Sequence, residues 1–453
     1  MAKKVHILGI CGTFMGSLAL LARQLGYQVS GSDQANYPPM GPLLESQGVA
    51  IYSGYDQQQL STYEPDEIIV GNTMKRGVEV IEAMMNQKIP LKSGPQWLYE
   101  KILSNKRVIA ISGTHGKTTT TSMVVKILDY ANLNPGFLIG GVAHDYDVSA
   151  RVTDSDWFVI EADEYDTAFF DKRSKFVHYY PEIAVINNLE FDHGDIFNHL
   201  DDIKRQFHHL IRGIPSNGQL IINADDKEIT DVLAKGVWSP VMTFGLAVGN
   251  WQAKLLESDG SVFEVYYQHK KQGVIRWELL GKHNVYNALA AISAASAAGV
   301  NPKVSIEALS TFQGVKRRLE KIACENNIYI YDDFAHHPTA IQSTMEAVRS
   351  NIGDQQLIAI LEPRSNTMKM GYHGKRLLEA LEAADHLMLF QPEGVKLQWD
   401  ELLNGAQQRS DVFNDVDVLL AKLPAIIKKP SHIVIMSNGA FDGIYKKIKK
   451  MQL

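Results

Sequence analysis

Short apolar segments alternate with helical patterns along almost the whole chain. "VHILGI" precedes "GSLALLARQLG", "EIIVGN" precedes "GVEVIEAMMNQ", and "VIAISG" precedes "TTTTSMVVKILDYA". Each apolar run has the length of a buried strand, and a regular succession of strand and helix is typical of parallel sheets covered by helices. The chain has 453 residues, more than one hydrophobic core usually holds. The sequence therefore predicts an α/β protein of two or three domains.

The pattern changes at two places, and these places divide the chain into three predicted domains. The polar step "SNKR" comes just before the strand "VIAIS", and the alternation resumes after "STFQGVKRRLE". We predict Rossmann-like domains over residues 1–105 and 312–453, with a central P-loop ATPase-type domain over 106–311. Within the central domain, "WQAKLLE" and "VFEVYYQ" flank a polar turn that predicts a β-hairpin. The central domain should therefore carry a small antiparallel addition.

Composition and charge exclude several classes of protein. A net charge of -6 provides no polybasic surface for nucleic acid, and no apolar run reaches the 18 residues of a membrane span. The N-terminal segment superficially resembles a signal peptide, but its glycines fit a strand, a turn and a helix better. Cys11 and Cys324 lie far apart, which favours a reducing compartment and predicts two inert packing thiols. We expect a cytoplasmic protein without nucleic-acid or membrane partners.

The segment "VIAISGTHGKTTTTSMVV" combines a strand, a glycine turn and a helix, the context of a phosphate-binding loop. A Walker A loop would place its first glycine at Ile111, whereas this chain has Gly113, only three positions before Gly116. Lys117 would neutralise nucleotide phosphates, and the Thr118 hydroxyl would hold Mg²⁺. The alternative is a glycine turn that binds nothing. The candidate nucleotide-binding residues of the loop are Gly113, Thr114, His115, Gly116, Lys117, Thr118 and Thr119.

Two further strands end in polar residues. "WFVIEADEYD" delivers Glu161 and three more acids, and "IAVINNLEFDH" delivers His193 beside other polar side chains. The carboxyl ends of parallel strands meet at one edge of a sheet, and oxygen ligands suit Mg²⁺. Two such strand ends beside a phosphate loop predict two metal sites. The alternatives without metal binding are a solvated acidic turn and a structural histidine.

The first domain offers a second glycine turn, "GICGTFMG". The spacing of Gly9, Gly12 and Gly16 is not that of a dinucleotide fingerprint, although Asp33 follows about twenty residues later. The turn therefore favours a nucleotide-diphosphate site over dinucleotide oxidoreduction.

The third domain contributes "YDDFAHHPTA" and "GVKRRLE". Adjacent histidines and acids could form a zinc site, but the spacing of the ligands is poor and we disfavour it. Arg318 suits the charge of a transferring phosphoryl group, and the alternative is a surface arginine.

Six motifs taken together carry a family resemblance. "GTHGKTTT", "EADEYD", "NNLEFDH", "GKHNVYNALAA", "GVKRRLE" and "DDFAHHPTA" occur in this order, and the chain resembles the ATP-dependent Mur ligases of bacterial cell-wall synthesis over its whole length. The compressed phosphate loop is similar to that family's own variant. Flanking segments such as "FFDKRSKFVHYYPE" and "LEPRSNTMKMG" look more like the members that act on a murein tripeptide than like the alanine-adding members.

The resemblance implies an amide ligase that uses ATP and Mg²⁺. It would join L-alanyl-γ-D-glutamyl-meso-diaminopimelate to UDP-N-acetylmuramate through an acyl phosphate, in murein recycling, and release ADP and phosphate. We expect a monomer or a weak homo-oligomer. Three alternatives stay open: alanine as the acceptor, a P-loop NTPase or kinase without ligase activity, and a nucleotide-binding regulator that no longer turns over.

The resemblance also implies roles for individual residues. The catalytic residues would be Lys117, His193 and Arg318, and the metal ligands would be Thr118, Glu161 and His193. Beyond the phosphate loop, the ATP-binding residues would be His283, Asn284, Asn287, Arg318 and Asp333. The residues assigned to UDP-N-acetylmuramate and the acceptor are Gly9, Gly12, Thr13, Gly16, Asp33, Asn72, His336, Arg364 and Asn366.

The chain departs from the family pattern at one catalytic position. Several Mur ligases carry a carbamylated lysine on the helix after the "DH" motif, where this chain has Phe207, with Lys204 almost one turn earlier. We therefore assign no carbamylation. The "DNPR"-type motif for diaminopimelate is also absent from the sequence, so Arg364 and Asn366 are our hypothesis for the carboxylates of the acceptor.

Overall fold

The computed structural model describes residues 2–36, 40–395, 397, 399–403 and 409–451. These residues form three β-sheets of five, ten and six strands, each flanked by helices. The five-stranded sheet is wholly parallel, and the other two are mainly parallel. The predicted class, three α/β units with an antiparallel addition in the middle, is confirmed.

The first sheet has the strand order β3-β2-β1-β4-β5. All strands run in the same direction, but the order in which they are added reverses at β1, whose neighbours β2 and β4 lie on opposite sides. The turn after β1 therefore opens at a topological switch point. The elements are β1 (Lys4–Leu8), α1 (Thr13–Gln24), β2 (Gln28–Asp33), α2 (Met40–Ser46), β3 (Ala50–Ser53), α3 (Gln58–Tyr63), β4 (Glu67–Val70), α4 (Glu79–Asn86), β5 (Lys92–Ser93) and α5 (Gly94–Lys101).

The ten-stranded sheet has the order β15-β14-β13-β12-β11-β10-β6-β9-β7-β8. Its elements are β6 (Arg107–Ser112), α6 (Lys117–Tyr130), β7 (Gly136–Leu138), β8 (Ala150–Arg151), β9 (Trp157–Glu161), β10 (Ile183–Ile186), α7 (Leu200–Arg212), β11 (Gln219–Asn223), α8 (Lys227–Leu233), β12 (Val241–Gly245), β13 (Trp251–Leu255), β14 (Val262–Tyr267), β15 (Lys270–Arg276), α9 (Lys282–Ala297) and α10 (Pro302–Leu309). Strand β6 lies between β9 and β10 and is parallel to both. The predicted hairpin is confirmed as β13 and β14, and β15 extends it by a third antiparallel strand.

The six-stranded sheet has the order β16-β17-β21-β18-β19-β20, and only β16 runs antiparallel to its neighbour. Its elements are β16 (Glu320–Glu325), β17 (Ile328–Asp333), α11 (Pro338–Ile352), β18 (Gln356–Leu361), α12 (Asn366–Lys369), α13 (Lys375–Glu379), β19 (His386–Phe390), α14 (Trp399–Leu402), β20 (Arg409–Phe413), α15 (Val416–Ile426), β21 (Ser431–Met436) and α16 (Ile444–Ile448). The strands β17, β18, β19 and β21 coincide with four apolar runs that the sequence pattern predicts as strands, "IYIYDDF", "LIAILEP", "HLMLFQP" and "HIVIMSNG".

The alanine-rich helix α9 packs closely on α6, the helix that follows the phosphate loop. Ala288, Ala291 and Ala295 are fully buried, and their small side chains permit the close approach. A side chain on Gly116 would come within 2.4 Å of Asn287 Oδ1, so this glycine is required for the approach of α9 to the loop. The run "HNVYNALAAISAASAAG" is rich in small side chains and predicts a helix that packs closely on a neighbour, and the structure confirms it.

Two smaller expectations have different outcomes. Cys11 is buried, but Cys324 is exposed on the edge strand β16, so the prediction of two packing thiols is wrong for Cys324. An edge strand leaves one side without a neighbour, and an apolar pattern in the sequence does not reveal this.

In the described part of the chain, no helix is both long and apolar enough to cross a membrane.

The helix α7 carries Phe207 and Lys204, the two positions considered above for a carbamylated lysine. Phe207 is fully buried, with its ring centroid 5.2 Å from that of Phe176. The Lys204 amine lies 2.5 Å from Glu228 and 2.8 Å from Asp231, both on α8. Neither α7 position therefore offers a free amine for carbamylation.

His6 makes the stability of the first domain depend on pH. The ring is buried in β1, its two nitrogens lie 2.7 Å from the hydroxyls of Ser30 and Ser32, and burial lowers its pKa to about 4. An unfolded chain protonates this histidine near pH 6.5, so the stability it contributes is present above that pH. We expect about 3 kcal/mol to be lost as the pH falls from 6.5 to 4.

Urea unfolding at several pH values measures this effect. The unfolding midpoint of the wild type should fall more steeply below pH 6.5 than that of His6→Asn. A His269→Asn control changes an exposed histidine and should follow the wild type. Equal pH profiles for wild type and His6→Asn would contradict the assignment.

Candidate active site

The phosphate loop is fixed in place by the end of strand β10. Gly113 and Gly116 have φ values of +136° and +80°, which glycine adopts without strain. Asn188 accepts hydrogen bonds from the backbone N–H of Thr114, at its carbonyl (3.1 Å), and of His115, at its side chain (2.7 Å). The loop therefore has a defined shape where α6 begins.

Lys117 lies in a buried cluster of charges. Its Nζ is 2.7 Å from Glu164 Oε2, 2.8 Å from the Gly113 carbonyl and 3.8 Å from Asp163 Oδ1. Burial lowers the pKa of Lys117, but the charges of Glu164 and Asp163 outweigh burial and raise it. The amine is therefore cationic and aimed at the carboxyl ends of the strands.

His193 joins the same cluster from the next strand end. Its Nε2 is 3.3 Å from Glu164 Oε1, and its ring meets the Tyr165 ring edge-on at 4.9 Å. The φ value of +56° is unusual for a side-chain-bearing residue, and such backbone strain concentrates at functional sites. Burial lowers the pKa of His193, but hydrogen bonding to Glu164 and the nearby acids raise it overall.

Glu164 was missed as a site residue by sequence reasoning. Its side chain is only 1% exposed and bridges Lys117 and His193. The signal was the strand-end cluster "EADEYD", but four acids in six positions do not show which one turns inward. Asp163, Glu164 and His193 offer three possible metal-ligand atoms within 4.8 Å of one another.

The residues assigned to the first metal lie together. Thr118 Oγ1 donates to Glu161 Oε1 (3.1 Å), and Glu161 Oε2 accepts from the Gly140 N–H (2.7 Å). Burial raises the pKa of Glu161 in spite of the nearby cations. Arg318 Nη2 donates to Thr118 Oγ1 (3.3 Å). A hydroxyl and a carboxylate in this position fit Mg²⁺, which prefers oxygen ligands.

The other residues assigned to ATP line the same cavity as Lys117, Glu161 and His193. Asn287 Oδ1 accepts from Thr120 Oγ1 (3.1 Å), which ties α9 to α6. Asp333 accepts the backbone N–H groups of Leu319 (2.6 Å) and Ala335 (2.7 Å), so its carboxylate also shapes its own loop. Burial, followed by the charge of Arg318, lowers the pKa of His283 to about 4.

A second cavity lies between the first sheet and the middle sheet. It includes Glu161 and Asp163 from the middle sheet, and it is also lined by Gly9, Gly12, Thr13, Asp33 and Asn72. Asp33 accepts the Cys11 N–H at 2.9 Å and so shapes the glycine turn. Gly16 lies inside α1, where a side chain would come within 2.5 Å of Met40 Cε, and it does not line this cavity.

A third cavity opens toward the last sheet. His193, His336, Arg364 and Asn366 line it, together with Lys369, which sequence reasoning did not name. Asn366 Nδ2 donates to Asp195 Oδ2 at 3.2 Å, and Arg364 Nη1 lies 3.6 Å from Glu362. The side chain of Arg364 is 48% exposed and therefore accessible to a ligand.

The three cavities meet at the ends of β9 and β10. Glu161 and Asp163 are shared by the first-sheet cavity and the phosphate-loop cavity, while His193 and His336 are shared by the phosphate-loop and last-sheet cavities. Three ligands bound there would meet beside one cluster of cations and metal-binding groups. This arrangement suits a reaction in which one bound molecule is phosphorylated and the activated molecule is then joined to another.

The chain matches three family profiles in succession. Residues 4–106 match the Mur ligase family catalytic domain, 111–295 the Mur ligase middle domain and 317–439 the Mur ligase glutamate ligase domain. Together these matches cover most of the chain.

Individual relatives agree with the profiles. UDP-N-acetylmuramate–L-alanyl-γ-D-glutamyl-meso-2,6-diaminoheptandioate ligase of Escherichia coli is 48% identical over 98% of this chain and 97% of its own length. A murein peptide ligase from Psychrobacter arcticus has a crystal structure that superposes with a TM-score of 0.76 at 46% identity, covering 99% of this chain and 98% of that chain. UDP-N-acetylmuramate–L-alanine ligase of Dictyoglomus turgidum is 32% identical over 86% of this chain and 81% of its own. The chain therefore belongs to the Mur ligase family.

Proposed function

We propose that this protein forms an amide bond between UDP-N-acetylmuramate and the tripeptide L-alanyl-γ-D-glutamyl-meso-diaminopimelate, with ATP as the energy source. The observation that carries the proposal is the meeting of three cavities beside Lys117, Glu161 and His193. The name of the Escherichia coli relative, at 48% identity over nearly the full chain, supports this choice of substrates. The reaction serves the recycling of murein.

Each domain has its own ligand in this proposal. Residues 1–105 bind the UDP-sugar, 106–311 bind most of ATP, and 312–453 bind the acceptor peptide and complete the ATP site. The carboxylate of the UDP-sugar then reaches Glu161 and Asp163 at the shared wall of two cavities. The amine of the acceptor enters on the opposite side, next to His193.

Phosphoryl transfer comes first, because a carboxylate does not react directly with an amine. A carboxylate oxygen of the UDP-sugar attacks the γ-phosphorus of ATP, the bond to the β-phosphate oxygen breaks, and ADP leaves. Lys117 and Arg318 offset the repulsion between the two anions and stabilise charge on the transferring group. Mg²⁺, held by Thr118 and Glu161 with a second ion near His193, would supply further positive charge.

Amide formation follows from the acyl phosphate. The amino nitrogen of the acceptor attacks the acyl carbon, and phosphate leaves with the electrons of the broken C–O bond. Walls from three domains line the place of this intermediate, and we expect the domains to close on bound substrates and so exclude the water that would otherwise hydrolyse it.

The acceptor cavity matches a peptide that carries several carboxylates. Arg364 and Lys369 are cations at its wall, and Asn366 adds an amide donor. Asp192 and Asp195 add two carboxylates. The tripeptide has more than one free carboxylate for the cations and a second amino group for the acids, whereas alanine has one of each. The cavity therefore favours the tripeptide over alanine.

Phosphate release with different acceptors tests the function. With ATP and UDP-N-acetylmuramate, the tripeptide should stimulate phosphate release far more than alanine or no acceptor. Faster turnover with alanine would move the assignment to the alanine-adding ligases. Phosphate release that does not require the UDP-sugar would instead favour a P-loop NTPase.

A Glu161→Gln variant tests the first metal site. The variant removes the negative charge that would balance Mg²⁺. We expect it to lose about 3 kcal/mol of transition-state stabilisation, which corresponds to a roughly hundredfold drop in kcat/KM. The matched control is Glu182→Gln, which changes a carboxylate at the opposite edge of the same sheet, where it pairs with Arg107 at 2.5 Å. Steady-state kinetics over a range of Mg²⁺ concentrations should show partial rescue of Glu161→Gln alone. An unchanged kcat/KM in Glu161→Gln would remove Glu161 from the site.

An Arg364→Ala variant tests recognition of the acceptor. Loss of a charge-assisted hydrogen bond at a half-exposed site should raise the KM for the tripeptide by about tenfold. The KM values for ATP and the UDP-sugar should stay unchanged, because Arg364 lines only the acceptor cavity among those described. Arg76→Ala is the control, since Arg76 is a surface arginine paired with Glu82. An unchanged tripeptide KM would eliminate Arg364 as a ligand of the peptide.

A further inference from the structure

A second group of possible metal ligands lies outside the cluster around His193. His115, Glu190 and His337 each offer one ligand atom, and these three atoms lie within 4.8 Å of one another. His115 belongs to the phosphate loop, Glu190 follows strand β10, and His337 is the N-cap of α11. The group therefore joins the middle and last domains.

The hydrogen bonds of His337 show which ring nitrogen carries the proton. His337 Nε2 lies 3.2 Å from the Phe191 carbonyl, which can only accept, so Nε2 is the donor. Nδ1 accepts the Thr339 backbone N–H at 3.3 Å, as expected for the unprotonated nitrogen of a neutral ring. Burial, reinforced by His115, lowers the pKa of His337. The ring is therefore neutral near pH 7.

Two acceptors consequently face each other. The Nδ1 lone pair of His337 lies 3.3 Å from Glu190 Oε2. Although burial raises the pKa of Glu190, hydrogen bonding to His115 and Thr339 lowers it overall, so the carboxylate is ionised. The Nδ1 lone pair already accepts the Thr339 N–H at 3.3 Å, and Glu190 Oε2 accepts from Thr339 Oγ1 at 2.7 Å, so a cation between the two acceptors would replace the longer contact at Nδ1.

The spacing and chemistry of these atoms suit zinc. Glu190 Oε2 lies 3.3 Å from His337 Nδ1 and 3.4 Å from His115 Nε2. Zinc bonds near 2.0–2.1 Å in a tetrahedral site place neighbouring ligands about 3.3–3.4 Å apart. Two imidazoles and one carboxylate form a ligand set that zinc binds well and Mg²⁺, which prefers oxygen ligands, does not.

A fourth group lies next to this site. The His373 ring meets the His337 ring edge-on at 4.8 Å between centroids. His373 is 7% exposed, and its Nε2 is buried without a hydrogen-bond partner among the described residues. An unpaired buried nitrogen is costly, but the group of ligand atoms within 4.8 Å of one another does not include His373, so His373 is a neighbour of the site and not one of its ligands.

We propose that His115, Glu190 and His337 form an inhibitory zinc site that bridges the middle and last domains. Zinc bound there would tie His115 of the phosphate loop to the last domain and hold the loop in its present shape, which opposes any movement that ATP requires of the loop. It would also fix the relative positions of two domains that the ligase reaction brings together. This opposition to ATP rests on the proposed ATP site, whereas zinc binding itself does not.

Calorimetric titration of the full-length protein with zinc chloride, without nucleotide, tests the site. The titration is done in a His193→Gln background, which removes the cluster of Asp163, Glu164 and His193 as a second zinc site. We expect one zinc ion per chain, with affinity at least tenfold weaker when Glu190→Gln or His337→Asn is added. Asparagine at position 337 keeps a side chain that caps α11, and Glu190→Gln decides the test should the other variant not fold.

A matched control separates the site from ordinary histidine–carboxylate pairs. His386→Asn removes the histidine that lies 2.8 Å from Asp411 and should leave zinc affinity unchanged. Saturating ADP should lower the zinc affinity of the His193→Gln protein when that affinity is calculated from free zinc, after correction for the zinc–ADP complex in solution. Absence of zinc binding, or equal affinity with and without Glu190→Gln, would overturn the site. Zinc binding that ADP does not weaken would overturn the opposition between zinc and nucleotide and leave the ligase assignment intact.

Discussion

The buried carboxylate of Glu164 is the interaction on which the site depends. It lies between the amine of Lys117 (2.7 Å) and the imidazole of His193 (3.3 Å), and so links the phosphate loop to the end of strand β10. An unpaired buried charge costs several kcal/mol, and these two partners offset that cost. Lys117 and His193 are thereby oriented before substrates arrive, and preorganised polar groups of this kind stabilise a transition state. When a nucleotide phosphate reaches Lys117, the amine exchanges the carboxylate of Glu164 for the phosphate as its anionic partner.

Sheet topology explains why these side chains meet. Strand β6 carries the phosphate loop at its carboxyl end. Its parallel neighbour β9 ends at Glu161, and its other neighbour β10 leads into the loop that contains His193. Adjacent parallel strands deliver their last residues to one edge, so residues up to 76 positions apart become neighbours at that edge. The first and last domains add walls to this edge, and their cavities share residues with it. One strand-end cluster can therefore serve three ligands.

Sequence reasoning found the parts of the protein whose signal is local. Apolar runs identified the main strands, and the Gly-Lys-Thr trio between a strand and a helix identified the phosphate loop. The two-residue strands β5 and β8 are too short to show any periodicity. Gly16 was assigned to a ligand, but in the structure it permits the close packing of Met40 on α1.

The remaining features depend on contacts between distant segments. Which acid of "EADEYD" turns inward depends on the position of Lys117, and Glu164 was therefore not distinguished from its neighbours. Glu190 and His337 meet only because the last domain packs on the middle one. Spacing along the chain disfavoured zinc for "DDFAHHPTA", since the ligands that could complete a site with His337 come from the middle domain.

The central claim is that the strand ends of the middle domain bring a carboxylate of one substrate to the γ-phosphoryl group of ATP. The most direct measurement uses UDP-N-acetylmuramate whose carboxylate oxygens are replaced by the heavy isotope of oxygen, followed by mass analysis of the released phosphate. An acyl phosphate transfers one labelled oxygen to phosphate for each amide bond formed, and this is the result the account predicts. Unlabelled phosphate would contradict it in either of two cases. In one, both labelled oxygens stay on unreacted UDP-sugar. In the other, the amide forms without transfer of label to phosphate.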